Sequence, residues 1–438
     1  MLTYPETLAY LFALHRFGVK LGLEAITNLL QRLDNPQRRY ATLHIGGTNG
    51  KGSSAAMAAA MLQAGGYRVG LYTSPHLIDF RERIRVQGEN ISEEQVCDLT
   101  ARIRHAAEPL GSLTFFEFTT AMAFLNFFDQ QIDIAVIEVG LGGRYDATNV
   151  LDPLGVLITG IGFDHEIYLG PTLPEIAREK AGIIRHPVPV VLGMMPDNVK
   201  PVFETIAHEY GAQVKGYDQD FLISQTSPTA FTYHGLRESM SNFQTNLLGR
   251  HQMENAACAL ALLESSTSER FPLSVESMRV GLQQVRWKGR LQIVQHDPLV
   301  ILDGAHNPLG AQVLFDFLQS QLHDCPDRKI IVVLGMMQDK HHYEYLQILL
   351  PLIDTLILTK PHMNRAASVE ELRRVVPRGD MKTLVLVEPW EAYCQAHQVA
   401  RRTDLICVTG SLFLVGEVLQ QLTRHHSLTS KTEEWLGR

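Results

Sequence analysis

Five cysteines, Cys97, Cys258, Cys325, Cys394 and Cys407, are all that this chain of 438 residues contains. They form no C-x-x-C pair and no even framework, which excludes a disulfide scaffold and reads as free thiols in a reducing compartment. A basic excess is missing too. The 39 Lys and Arg against 47 Asp and Glu leave a net charge of −8, the wrong sign for a nucleic-acid or membrane-surface protein. Any anionic substrate must therefore be met by local positive charge or by metal. No apolar run is long enough for a bilayer; the most apolar, FFEFTTAMAFLNFF, contains Glu117 and Asn126. The start, MLTYPETLAYLFALHRFG, lacks the basic-then-apolar layout of a signal peptide. A cytoplasmic protein is expected. Internal repeats and low-complexity tracts are absent as well.

Short β-rich runs alternating with helical stretches are present throughout, a pattern that implies parallel sheets. ATLHIGG, YRVGLYTS, IDIAVIEVG, LGVLITG and VPVVLG read as strands. SSAAMAAAMLQA reads as a small-residue helix stopping at Gly65-Gly66. Residues 217–250 are polar and weakly alternating, as short antiparallel edge strands would be. After VRWKGRLQIVQHDP the pattern restarts with LVILDGAHN, KIIVVLGMM, TLILTK, TLVLVEP and DLICVTGS. This predicts a second doubly wound α/β domain. Pro298 places the seam at 296–299, giving domains of 1–296 and 297–438.

The segment HIGGTNGKGSS runs from a buried strand through glycines and Lys51 into a helix start. Glycines let backbone N–H groups approach an anion, and the helix end supplies more free donors. It departs from G-x-x-x-x-G-K-[ST], because Gly52 follows Lys51 and the hydroxyl arrives one residue late as Ser53. In IEVGLGGRYDATN, Glu138 ends an apolar strand, where a carboxylate faces the ligand crevice and suits Mg²⁺; a bond to Arg144 is the bland reading. Asp164 and His165 follow another strand. Thr172, Glu175 and Pro174 then form a capping box and helix start, with Lys180 further along that helix. A lysine turned inward would have a lowered pKa; one on a solvated face would not. In LDGAHNP, Asp303 and His306 lie on a loop, with Asn307 as helix cap and Pro308 inside the first turn. Arg81, Arg83 and Arg85, at spacing two, would point to one side of an extended segment downstream of Ser74 and His76. Such a stripe suits carboxylates, and equally suits a charged edge strand.

GGTNGKGS, TSPHL, EVGLGGRYDATN, FDH, REKAGI and LDGAHNP, in this order, resemble the folylpolyglutamate synthase/dihydrofolate synthase group of the Mur ligase superfamily over roughly residues 40 to 415. In that group the hydroxyl follows Lys-Gly. The resemblance implies an α/β fold: a P-loop central domain with a mainly parallel sheet, plus a C-terminal Rossmann-like domain. It implies an ATP-dependent ligase joining a folate-type carboxylate to L-glutamate through an acyl phosphate, with ADP and phosphate released. By motif match, Lys51 holds the phosphates in a cradle of Gly47, Thr48, Asn49, Gly50, Gly52 and Ser53. Ser74 and Glu138 take one Mg²⁺, Glu138 and His165 a second, with a monovalent cation as a further candidate. Lys180 matches the lysine that becomes a carbamate and supports the second metal. Asn255, Arg290, Asp303 and His306 match ATP-contacting positions. Phe116, Phe118, Asp146 and Ala147 fit a dihydropteroate pocket, and Arg81 and Arg83 are substrate-binding candidates. The expectation is a monomeric, bifunctional enzyme acting on dihydropteroate and tetrahydrofolate. The alternatives are polyglutamylation only, a Mur-type ligase for another carboxylate, a nucleotide-hydrolysing switch and a non-catalytic binder.

Overall fold

The computed structural model describes residues 2–18, 22–377 and 381–436. Two compact units emerge: Met1–Asn246 with Arg250–Arg286, and Leu247–Gly249 with Trp287–Arg438.

The first unit is built on eight strands: β1 (Ala41–Gly46), β2 (Val69–Tyr72), β3 (Ile84–Val86), β4 (Glu89–Asn90), β5 (Ile134–Glu138), β6 (Gly155–Ile158), β7 (Val190–Leu192) and β8 (Val214–Gly216). Their order is β4-β3-β2-β5-β1-β6-β7-β8. From β2 to β8 all neighbours run parallel, while β3 and β4 form an antiparallel edge. Every residue of β1, β5 and β6 is buried, which is why β5 and β6 are near-continuous apolar runs, while β1 buries Thr42 and His44 among its apolar residues. β9 (Leu222–Gln225), β10 (Ala230–His234) and β11 (Ser239–Gln244) pair antiparallel, as the polar, weakly alternating composition of that stretch predicts, but they form a sheet of their own and not an edge of the first. Alternate residues of β10 are buried, and Phe231 stacks on Phe243 with centroids 5.6 Å apart.

The helix Lys51–Ala64 follows β1. Its alanines let a neighbouring helix approach so closely that a Cβ at Gly281 would lie 2.5 Å from Met61 Cα. Tight packing of this kind fixes the helix start, and with it the loop before it.

The second unit contains β12 (Gln292–Gln295), β13 (Leu299–Leu302), β14 (Ile330–Leu334), β15 (Thr355–Leu358), β16 (Lys382–Val385) and β17 (Leu405–Thr409), ordered β12-β13-β17-β14-β15-β16. All five expected strands are present and parallel. An antiparallel edge strand, β12, precedes them. The expected seam at 296–299 is corrected by this arrangement. Pro298 sits in the connection between paired β12 and β13, inside the second unit, and the units divide at Arg286/Trp287. Proline marks a turn there, not a linker.

Candidate active site

Register places the site. Ile45 pairs with Glu138 on one side and Leu157 on the other, and Tyr72 pairs with Ile137. The carboxyl ends of β2, β5, β1 and β6 are therefore level, and the segments carrying Ser74, Glu138, Lys51 and His165 all leave one rim, where parallel sheets bind ligands.

The loop after β1 is held by contacts that the sequence did not reveal. Thr48 N–H donates to the Gly160 carbonyl at 2.7 Å. The Thr48 hydroxyl donates to Gly162 O at 3.2 Å and accepts Gly162 N–H at 3.1 Å, and Thr159 Oγ1 donates to Asn49 O at 2.6 Å. Thr48 thus fastens the loop to the segment after β6. Gly47 has φ +134°, and a Cβ there would lie 2.1 Å from Thr159 Oγ1, so only glycine fits. Gly50 has φ +87° and lies against Asn255, whose Oδ1 would be 2.4 Å from an added Cβ. That contact places Asn255 beside the cradle, where its amide also donates to Gln252 Oε1 at 3.2 Å. Gly52 and the buried Ser53 lie in the first turn of the helix.

Lys51 Nζ donates to Gly47 O at 3.1 Å and Thr48 O at 3.0 Å. Lys180 Nζ donates to the same Gly47 O at 2.8 Å. The inward option is therefore the one adopted, and Lys180 is buried, 5% exposed. Burial first, then the Lys51 ammonium, draws its pKa down to about 7. A lysine near neutrality offers a neutral, nucleophilic amine in a way that a surface lysine does not.

Glu138 is buried, and its Oε2 accepts the Ser74 N–H at 3.0 Å; Arg144 instead lies over the Tyr145 ring at 5.1 Å. His165 has φ +55°, its N–H donates to Asp164 Oδ1 at 2.9 Å, and its Nε2 lies 3.8 Å from the same oxygen. A buried carboxylate and an imidazole carried by segments that leave one rim are donor types a divalent cation takes, while no group of three or more His, Cys, Asp or Glu that could hold a metal ion is formed among the described residues.

The loop Gly140–Asn149 is stitched to the Lys180 helix, Leu173–Ala181. Arg144 N–H donates to Glu179 O at 2.8 Å. Asn149 Nδ2 donates to Arg144 O at 2.9 Å and Gly182 O at 3.0 Å. Arg185 closes on Asn149 Oδ1 at 2.7 Å. Asp146 is buried, with Leu141 N–H on Oδ2 at 2.8 Å and Thr148 N–H on Oδ1 at 3.0 Å; burial raises its pKa against these donors. Ala147 is buried beside it. Phe116 lies flat against Gly140, where an added Cβ would meet its Cζ at 2.3 Å. Phe118, by contrast, belongs to the core, edge-on to Tyr10 at 5.8 Å.

The arginine stripe does not form. Arg81 and Arg83 belong to a 3-10 turn, Phe80–Arg83, begun by an Asp79/Glu82 capping box, and only Arg85 lies in β3. Arg81 forks onto Asp79, with Nε 2.9 Å and NH2 2.6 Å from Oδ2. Arg83 is buried, donates from Nε to His76 Nδ1 at 2.9 Å and lies over Phe115 at 5.1 Å. Burial, then Arg83, pushes His76 down to about 3, so its ring is a neutral acceptor.

In the second unit, Asp303 follows β13. Its carboxylate accepts Leu291 N–H at 2.8 Å and Ala305 N–H at 2.9 Å, bracing the loop that carries His306. His306 Nδ1 donates to Gly304 O at 2.8 Å. Arg290 lies beside Gly304, its NH1 2.8 Å from where a Cβ would sit. Asn307 caps the next helix by accepting Gly310 N–H at 2.9 Å, with Pro308 at its first position, as the sequence predicts.

Residues 45–263 match the Mur ligase middle domain and residues 289–412 the "Mur ligase, glutamate ligase domain". The Bacillus subtilis dihydrofolate synthase/folylpolyglutamate synthase is 32% identical over 96% of this chain and 99% of its own. Among solved structures, FolC of Escherichia coli in complex with DHPP and ADP superposes with a TM-score of 0.89 at 32% identity, covering 97% of this chain and 99% of that one. The bifunctional folylpolyglutamate synthase/dihydrofolate synthase of Yersinia pestis, complexed with AMPPNP and Mn ion, gives 0.87 at 34% identity, covering 97% and 98%. By sequence over nearly its full length and by fold, this chain belongs to the folylpolyglutamate synthase/dihydrofolate synthase family of Mur ligases.

Proposed function

We propose that this protein is an ATP-dependent ligase that forms an amide between a folate-type carboxylate and L-glutamate, on both dihydropteroate and tetrahydrofolate. The observation that carries the reading is the convergence of Lys51 and Lys180 on one carbonyl of a glycine loop, on the rim that also bears Glu138. The named ligands of the relatives, a nucleotide, a metal ion and DHPP, agree with it. The glutamate ligase domain supports glutamate as the amine.

In this reading the acceptor carboxylate attacks the γ-phosphate of ATP, giving an acyl phosphate and ADP. The glutamate amine then attacks the acyl carbonyl, and phosphate leaves. Both reactants of the first step are anions, so positive charge must be fixed in place before they meet. Lys51 supplies it at the phosphates, within the cradle of Gly47, Thr48, Asn49, Gly50, Gly52 and Ser53, where Thr48 gives its own N–H to the Gly160 carbonyl and so fixes the loop. Mg²⁺, held by Ser53, Ser74, Glu138 and His165, would offset charge on the transferring phosphoryl group. Lys180, as its carbamate, would turn a cation into an anion able to support the second metal. Asn255, Arg290, Asp303 and His306 take part in nucleotide binding, and a monovalent cation is a further candidate. Phe116, Phe118, Asp146 and Ala147 shape the pterin side, where Phe118 acts from the core by packing. Arg83, beside His76, is the better placed of the two arginine candidates for a carboxylate, since Arg81 is occupied by Asp79. No helix among the described residues is long and apolar enough to cross a membrane, and three of the five free cysteines are buried, which suits a cytoplasmic enzyme. We take it to act as a monomer.

ATP consumption with glutamate and either dihydropteroate or tetrahydrofolate tests the dual activity. Product should form with both acceptors and with neither omitted substrate. Lengthening of tetrahydrofolate while dihydropteroate is returned unchanged would reduce the protein to a polyglutamylating ligase.

A further inference from the structure

Beneath the loop Gly140–Asn149 runs a buried polar chain to Asp146, two members of which, His44 and Thr148, the reaction as written does not use. His44, inside β1 and 1% exposed, has Nε2 2.8 Å from Thr148 Oγ1. The Thr148 hydroxyl donates in turn to Asp146 Oδ1 at 2.5 Å. A hydroxyl has a single proton. With that proton given to Asp146, the contact to His44 is completed by an N–H on Nε2, which leaves Nδ1 without one. Burial, then Arg185, pushes the imidazole down to about 3, so it is neutral. The chain therefore has a direction, from imidazole N–H through hydroxyl to carboxylate, and each bond polarises the next.

Its two ends matter. His44 is held on both sides by parallel strands, paired with Ile137 and Val156, and lies three residues before Gly47. Asp146 grips Leu141 N–H, and Gly140, next to Leu141, lies directly on the Phe116 ring. The chain thus ties the acceptor-side loop to the strand that presents the phosphate cradle.

We propose that His44 and Thr148 are positioning residues for the acceptor, setting the orientation of Asp146 and of the Gly140–Asp146 turn against Phe116. The proposal rests on the reading that this loop receives the pterin-bearing substrate. Neither residue touches the reacting atoms, so their loss weakens acceptor binding selectively.

The test is a comparison of KM values for dihydropteroate and ATP in wild type, Thr148→Val and Thr148→Ser. Loss of one hydrogen bond to a buried carboxylate raises the dihydropteroate KM by about tenfold or more in Thr148→Val, leaves the ATP KM unchanged, and is reversed in Thr148→Ser. Equal rises in both KM values, or an unchanged dihydropteroate KM, overturn the proposal. An independent readout needs no valine variant. ¹⁵N spectra of histidine-labelled wild type, with the His44 signals identified by their loss in His44→Gln, show Nε2 protonated and Nδ1 bare; a proton on Nδ1 overturns it. A wild-type protein inert with every folate acceptor sinks the reading of the site, whereas an active one with an insensitive Thr148→Val sinks the positioning role alone.

Discussion

Lys180 is the buried lysine of the candidate site. Its helix starts at a capping box legible in the sequence, Thr172 with Glu175, but its inward direction depends on Gly47, 133 residues away. Its folded pKa of about 7 lies below the ordinary 10.5, and the sign of the consequence follows. Below about 7 the lysine is protonated in both states, and the folded protein bears the full cost of burying an ammonium beside Lys51. Between about 7 and 10.5 the unfolded chain binds the extra proton, so stability rises with pH. Lys180→Met should therefore raise the melting temperature in CO₂-free buffer, most at pH 6 and less toward pH 10, by calorimetry. The same variant should lose ligase activity, and labelled bicarbonate should give a ¹³C-carbamate signal in wild type that the variant lacks. A variant that stays active without that signal would remove Lys180 from the mechanism.

Among elements, those that a single strand or helix specifies were readable, and those made by distant partners were not. β5, β6, β13, β14 and β17 are mainly apolar because both faces are covered, and they appear as runs. In Asp79–Arg85 the spacing of two suggests an extended segment but also occurs in a tight helical turn, and the Asp79/Glu82 capping box is the local signal for the turn. Thr159 and His44 carry no motif at all, since their importance arises only when β6 and the Asp146 loop close on β1. In the second unit, His362 joins three elements after β15. Its Nδ1 bonds Glu417 at 2.7 Å and its Nε2 bonds Glu388 at 3.0 Å. The Glu417 bond is the largest cause raising its pKa, so this clamp is present below the unfolded value and lost as pH rises through the folded one. NMR titration should place His362 above an ordinary histidine and return it toward that value in Glu417→Gln. An unshifted wild-type ring would show that the clamp carries no charge.

At the scale of the whole molecule, two α/β units in sequence were legible from strand runs, and the family from six motifs in order. The division between units was displaced by ten residues, because an antiparallel edge strand resembles a linker when its partner is the next strand. What the full chain achieves is the gathering, on one rim, of lysines and carboxylate supplied by segments far apart in sequence, so that two anions can react. The direct test is oxygen transfer. Dihydropteroate labelled with ¹⁸O in its carboxylate is turned over with ATP and glutamate, and the released phosphate is analysed by mass spectrometry. An acyl phosphate carries one carboxylate oxygen to phosphorus, so each phosphate released should contain one ¹⁸O, and none should form without acceptor. Unlabelled phosphate, released at the same rate with or without dihydropteroate, would contradict the ligase account and leave a nucleotide hydrolase in its place.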